Sequence, residues 1–173
     1  MASYLSNNVF VSSLMFFVMI GSLNAQVADI KAICGKAKNQ SFCTNYMKSN
    51  PKTSGADLKT LANITFGSAQ TSASGAFKRI QSLVNTTTDP TMKKAYTSCV
   101  GHYKSAISNL NDAKQSLASG DGQGLNIKVS AAMEGPTTCK DEMANFKVDP
   151  SAMKNSDDFQ NICGIVLVIS NMM

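Results

Sequence analysis

Residues 89–120 read DPTMKKAYTSCVGHYKSAISNLNDAKQSLASG, with Met92, Tyr96, Cys99, Tyr103, Ala106, Leu110, Ala113 and Leu117 falling in alternating steps of four and three. Side chains three and four apart share one face of a helix, so this spacing predicts a single inward stripe along about eight helical turns. Asp89 stands where an N-cap is needed, and Pro90 at the first helical position lacks an N–H that would have no partner there anyway. Ser119-Gly120-Asp121-Gly122-Gln123-Gly124 is expected to end the helix in a glycine-permissive turn.

Working outward, three more stripes of the same period appear. Upstream, Asp57 is placed to cap a helix running to about Val84, with Leu58, Ala62, Thr65, Ala69, Ala76, Ile80 and Leu83 inward. That stripe is thin in large residues, so its helix should approach a neighbour closely. Downstream, Leu125, Val129, Ala132, Pro136, Cys139, Met143 and Phe146 repeat the spacing, with Pro136 expected to kink or locally break the helix. Asp149-Pro150-Ser151 punctuates, and a last helix from about Asp157 carries Phe159, Ile162, Cys163, Val166, Ile169 and Met173. Two short helices, Val27 to Lys38 and Gln40 to Met47, precede the Asn50-Pro51 break. Alternating β-branched runs are nearly absent. The sum is an all-α chain, an up-down-up-down four-helix bundle with an N-terminal helical extension.

The chain has 173 residues, 16 Lys+Arg against 11 Asp+Glu, a net charge of +5, one His and no Trp. One domain with a compact core suits that length. The cations are scattered from Lys31 to Lys154, which argues against a nucleic-acid partner, since such a groove gathers Lys and Arg on one face. No charged side chain precedes Asp29, and Val9 to Ile20 is apolar apart from Ser12 and Ser13. Small and polar residues, Gly21-Ser22-Leu23-Asn24-Ala25, follow. This is the form of a secretory signal peptide over 1–25, leaving 26–173 as the mature domain. A membrane anchor would need ~20 apolar residues and would have to include Ser22, Asn24 and Gln26, so no membrane association is expected of the mature form. Sequons at Asn39, Asn63 and Asn85 are candidate glycosylation sites along the same route.

Five cysteines, Cys34, Cys43, Cys99, Cys139 and Cys163, lie in the mature chain. In an antiparallel hairpin, residues on one level have their mean position on the turn. The mean for Cys34 and Cys43 falls between the two short helices. That for Cys99 and Cys139 falls at 119, on the glycine turn, and that for Cys139 and Cys163 falls at 151, beside Pro150. Spacing leaves the last two pairings open. A leftover thiol at Cys163 would share the inward stripe of the last helix and behave as a small buried side chain.

Catalysis finds little support. His102 alone cannot build a catalytic dyad with a second His or a multi-His metal site, and no cofactor or metal is expected. Asp141-Glu142 and Asp157-Asp158 are adjacent pairs whose side chains diverge by about 100° on a helix. The glycines at 120, 122 and 124 follow no strand and make no phosphate loop.

The segments Leu125 to Asp141 (LNIKVSAAMEGPTTCKD) and Asp158 to Asn171 (DFQNICGIVLVISN) closely resemble plant pectin methylesterase inhibitors. The Cys-x8-Cys opening at Cys34 and Cys43, Thr97-Ser98-Cys99 and Asp57-Leu58-Lys59-Thr60-Leu61 match as well, so the resemblance spans the mature chain. It implies a four-helix bundle with an N-terminal helical hairpin, disulfides Cys34–Cys43 and Cys99–Cys139, and a free Cys163. It also implies a secreted, non-catalytic protein of the apoplast and cell wall. Such a protein docks one-to-one over the pectin-binding cleft of a pectin methylesterase, a parallel β-helix enzyme with an aspartate pair, more strongly at acidic pH. A monomer is expected, with exchange of helices between chains as a route to a dimer. Family contacts lie on the second, third and fourth bundle helices. By motif they fall here on Thr138, Asp141, Glu134, Asn126 and Tyr103, although Tyr103 also sits on an inward stripe. This chain has Gly101, Ser105 and Ser108 where the family often has acids. The same fold includes invertase inhibitors that present Pro-Lys-Phe between the second and third bundle helices. Here that stretch is Gly120-Asp121-Gly122-Gln123-Gly124, so the esterase is the expected target and acid invertase the alternative.

Overall fold

The computed structural model describes residues 26–144, 146 and 150–173, with side chains described from Lys154 onward in the last helix. The expected signal peptide lies outside the described residues. Six helices follow in order: α1 (Ile30–Lys36), α2 (Gln40–Ser49), α3 (Leu58–Thr86), α4 (Pro90–Ser119), α5 (Gly122–Met143) and α6 (Pro150–Ser170), with a 3-10 turn at Pro51–Thr53. Among the described residues the only β pairing is an isolated antiparallel bridge between Val27 and Asp57.

Local chemistry explains where these helices start. Each of α1 to α5 begins behind an Asp or Asn whose side-chain oxygen accepts a backbone N–H of the first turn: Asp29, Asn39, Asp57, Asp89 and Asp121. Those N–H groups have no partner inside the helix, so the caps satisfy them and set the boundaries. At α3 the cap oxygen lies 2.7 Å from Thr60 N. Hydrogen bonds from the Thr60 hydroxyl and amide hold the Asp57 carboxyl below its ordinary range. At the far end of α4, Gly120 takes the left-handed conformation with φ 73°, which a side chain would disfavour, and closes the helix.

The bundle closes on itself: α3 packs on α4, α4 on α5, α5 on α6, and α6 back on α3. The α1–α2 hairpin leans on α6, and Ile33, Cys34, Ala37, Cys43 and Met47 join the main core. The α4 stripe from Tyr96 to Leu117 is buried at every expected position, as is the α5 stripe from Leu125 to Met143.

Several boundaries and faces differ from expectation. Helix α1 starts at Ile30, behind its Asp29 cap, while Val27 is extended in the bridge to Asp57; Met173, expected on the inward stripe, is exposed beyond the end of α6. The α3 face is wider than the stripe read from sequence, because α3 touches α4, α6 and the 3-10 turn. Leu61, Phe66 and Ala73 are therefore buried too, while Leu58 and Leu83 are only half-buried. The glycine turn is short: α5 already starts at Gly122, so Gly120 and Asp121 alone connect α4 to α5. Helix α5 runs unbroken through Pro136, whose ring is buried on the core face, and ends at Met143, leaving Phe146 beyond it. Helix α6 begins at Pro150 rather than near Asp157. A proline in the first helical turn starts a helix as readily as it ends one, so Pro150 opens α6 instead of separating it from what precedes.

Two sulfur–sulfur bonds join Cys34 to Cys43 and Cys99 to Cys139, with Cα atoms 5.4 and 4.9 Å apart. The second staples α4 to α5 where their backbones come close. A Cβ added at Gly135 would sit 2.6 Å from the His102 carbonyl oxygen, so glycine is required there. Cys163 is a free, buried thiol. Burial pushes it well above the ordinary thiol range, the condition of an inert packing residue.

Candidate functional site

The outward side of α5 gathers most of the residues singled out from the resemblance. Glu134, Thr138 and Asp141 are exposed at steps of four and three, so they stand on one face, opposite the buried stripe. The Thr138 hydroxyl donates to the Glu134 carbonyl at 3.1 Å, which fixes its rotamer along the ridge. Asp141 and its neighbour Glu142 diverge as adjacent helical residues must. Glu142 turns toward α4, where its Oε1 accepts from the Ser98 hydroxyl at 3.2 Å and lies 3.4 Å from His102 Nε2. That polar seam across α4 and α5 was missed from sequence. The midpoint rule finds it: positions 98 and 142 average 120, on the same turn that pairs Cys99 with Cys139.

Two residues of the set are placed differently. Tyr103 is 0% exposed and packs a tilted ring against Phe159, centroids 6.3 Å apart. It offers no surface to a partner, because the inward stripe on which it lies outweighs the motif match. Its hydroxyl and that of Ser156 are both enclosed and neither makes a hydrogen bond. Burial raises the phenol above its ordinary range, and nearby Ser156 opposes the shift only in part. Asn126 is half-buried and its amide is engaged within the fold. Its Nδ2 donates to Ser170 Oγ at 2.9 Å and Asn171 Oδ1 at 3.1 Å, with the Leu167 carbonyl at 3.4 Å. It ties the start of α5 to the end of α6 and holds the ridge in place.

On the other flank, α5, α6 and the α1–α2 turn enclose an open groove of about 760 Å³ lined by Lys38, Met133, Thr137 and Gln160 among others. Lys140 and Asp157 bridge it at 2.6 Å, and Gln160 Nε2 donates to the Met133 carbonyl and the Thr137 hydroxyl, each at 2.9 Å. These groups satisfy one another. No nucleophile lies beside a base in it, so the groove lacks the parts of a catalytic site. Among the described residues no cluster of His, Cys, Asp and Glu could hold a metal ion, and no helix is long and apolar enough to cross a membrane.

All three sequon asparagines are exposed. Asn39 caps α2, Nδ2 of Asn63 donates to the Lys59 carbonyl at 2.8 Å, and Asn85 lies in the last turn of α3.

The outward face of α5 thus presents Glu134, Thr138 and Asp141 to solvent as one polar ridge. A family model described as plant invertase/pectin methylesterase inhibitor matches residues 28–169. The chain is 86% identical to Pectinesterase inhibitor 2 of Arabidopsis thaliana over 173 residues, covering 100% of both chains. It is 46% identical to Pectinesterase inhibitor 1 of the same plant, covering 100% of this chain and 98% of that one. A crystal structure of a mutant form of a pectin methylesterase inhibitor from Arabidopsis matches with a TM-score of 0.79 at 45% identity, covering 84% of this chain and 97% of that one. A stapled helical bundle with an outward polar ridge, matched along its whole length by named inhibitors, belongs to the plant invertase/pectin methylesterase inhibitor family.

Proposed function

We propose that this protein is a secreted, non-catalytic inhibitor of plant pectin methylesterase that restrains de-esterification of cell-wall pectin. The observation that carries the reading is the 86% identity, over the full length, to a protein named as a pectinesterase inhibitor. In the complex, one inhibitor lays the outward face of α5 over the pectin-binding cleft of one esterase, with Glu134, Thr138 and Asp141 in contact. Asn126 acts behind that face by holding α5 against α6, and Tyr103 acts only through the core. Residues 1–25 are removed on secretion, and Asn39, Asn63 and Asn85 are the acceptors for N-linked sugar.

The mechanism is occlusion. A rigid helix placed across the cleft excludes a polymer without being cut, and a bundle locked by two disulfides loses little conformational freedom on docking. Carboxylates of the ridge that approach acidic groups of the enzyme repel less as protons are added, which strengthens the complex toward the acidic pH of the wall. The connection between α4 and α5 is the tight Gly120-Asp121 turn, with no Pro-Lys-Phe to offer an invertase, and this favours the esterase over the alternative target.

The test is titration of residues 26–173, oxidised and folded, into plant pectin methylesterase and acid invertase at pH 5 and pH 7. The expected result is loss of esterase activity complete at one equivalent, stronger at pH 5, with invertase unaffected. An esterase that stays fully active beside the folded protein would overturn the proposal.

A further inference from the structure

We infer that Ile127 is the apolar anchor of the docking ridge and supplies affinity that the two ridge carboxylates do not. This rests on the inhibitor reading above. Three large apolar side chains are exposed among the described residues: Val27 at 61%, Ile127 at 58% and Met173 at 39%. Val27 stands ahead of the first helix and Met173 is the last residue. Of the three, Ile127 alone lies within the body of a bundle helix. Nothing in the fold accounts for it. A β-branched residue on an exposed helix face loses side-chain freedom and has lower helix propensity than Ala, Lys or Glu would.

Position gives it a use. Residues 127, 134 and 141 recur every seven, two helical turns, so Ile127, Glu134 and Asp141 form a straight ridge pointing away from the buried stripe. At 1.5 Å per residue the ridge is roughly 21 Å long, the span of one side of an ordinary protein–protein contact. Its acidic half, Glu134 and Asp141, is exposed, and exposed carboxylates steer association and set register while adding little net affinity. Affinity comes from a few apolar or aromatic groups that are fully desolvated on docking. Ile127 is the one large apolar side chain on the ridge. A cleft that binds a sugar polymer offers the matching surface, since such clefts carry apolar and aromatic walls among a few polar groups. The occupant of the Ile127 end is therefore an apolar patch on the cleft of the esterase.

Ile127→Ala, Ile127→Asp and Ile127→Leu are compared with wild type by inhibition of pectin methylesterase, dissociation rate and thermal unfolding, with Val27→Asp as an exposed control off the ridge. The expected results are about 10-fold weaker inhibition for Ile127→Ala, about 100-fold or more for Ile127→Asp, and recovery to within about 3-fold for Ile127→Leu. Each loss should appear in the dissociation rate, persist at high salt, and leave the melting temperature within about 2 °C of wild type. Val27→Asp should inhibit as wild type does. Inhibition by Ile127→Asp equal to that of wild type would overturn the anchor and leave the inhibitor reading standing. A wild-type protein that leaves the esterase active would overturn the inhibitor reading, and the anchor with it.

Discussion

Around the α4–α5 turn the bundle is filled with aliphatic and aromatic side chains: Leu110, Leu117, Leu125, Val129, Phe159, Ile165, Val166 and Ile169 meet Ile33, Leu61 and Phe66 in one core. At the opposite end the buried set shrinks to Ala76, Ile80, Tyr96, Cys99, Tyr103, Cys139 and Met143. The second group is smaller, and the Cys99–Cys139 bond runs through it. Tyr103, its ring tilted against that of Phe159, joins the two. Apolar burial holds the first end, while a covalent link and the close approach at Gly135 hold the second, where α5 carries Thr138 and Asp141. The outward ridge of α5 thus stands over both a packed half and a stapled half, and its straightness depends on both.

The largest test of this contrast is removal of each disulfide. The Cys99–Cys139 bond closes a 40-residue separation and the Cys34–Cys43 bond one of 9. Chain-entropy arithmetic assigns about 3.9 kcal/mol to the former and about 2.6 kcal/mol to the latter. In urea unfolding, Cys99→Ala with Cys139→Ala should therefore cost more than Cys34→Ala with Cys43→Ala. The reverse order would break the comparison. Next comes Gly135→Leu, whose side chain must displace the His102 backbone. A loss of about 1–3 kcal/mol is expected, with weaker esterase inhibition because α5 is pushed outward. Asn126→Ala removes the tie to Ser170 and Asn171 and should cost about 1 kcal/mol, with faster amide exchange confined to the last turn of α6.

The Cys163 thiol sharpens the packed half. Its folded pKa is raised, so it remains a thiol at pH values where an unfolded cysteine ionises. Its contribution to stability is full below about pH 8.5 and declines as pH rises above that. At pH 8, alkylation should be slow in the native protein and fast once urea unfolds it. Rapid native labelling would show that this core opens. Smallest of all is Tyr103→Phe. The hydroxyl it removes makes no hydrogen bond, so stability should stay the same or rise slightly, and inhibition should be unchanged. A large loss of inhibition would return Tyr103 to the interface.

Much of this was legible in the chain. The steps of four and three along α4 and α5 place each stripe residue from Tyr96 to Leu117 and from Leu125 to Met143 on the buried face, and the Asp and Asn caps mark the starts of α1 to α5. Glu134, Thr138 and Asp141 could be read as one face from their spacing alone. The fate of Asn126 could not, because its partners lie more than 40 residues away on α6. Nor could the width of the α3 face, which depends on three neighbours at once.

Sequence by itself determined the helices, their inward stripes and the family, because capping and the 3.6-residue period act between residues a turn apart. Tertiary structure alone decided what lies across from what. Cys139 had a level partner in both Cys99 and Cys163, and only the rotation of α4 against α5 and of α6 against the core separates them. That rotation turns Cys99 to Cys139, leaves Cys163 enclosed, and withdraws Tyr103 from a surface to which its motif alone would have assigned it.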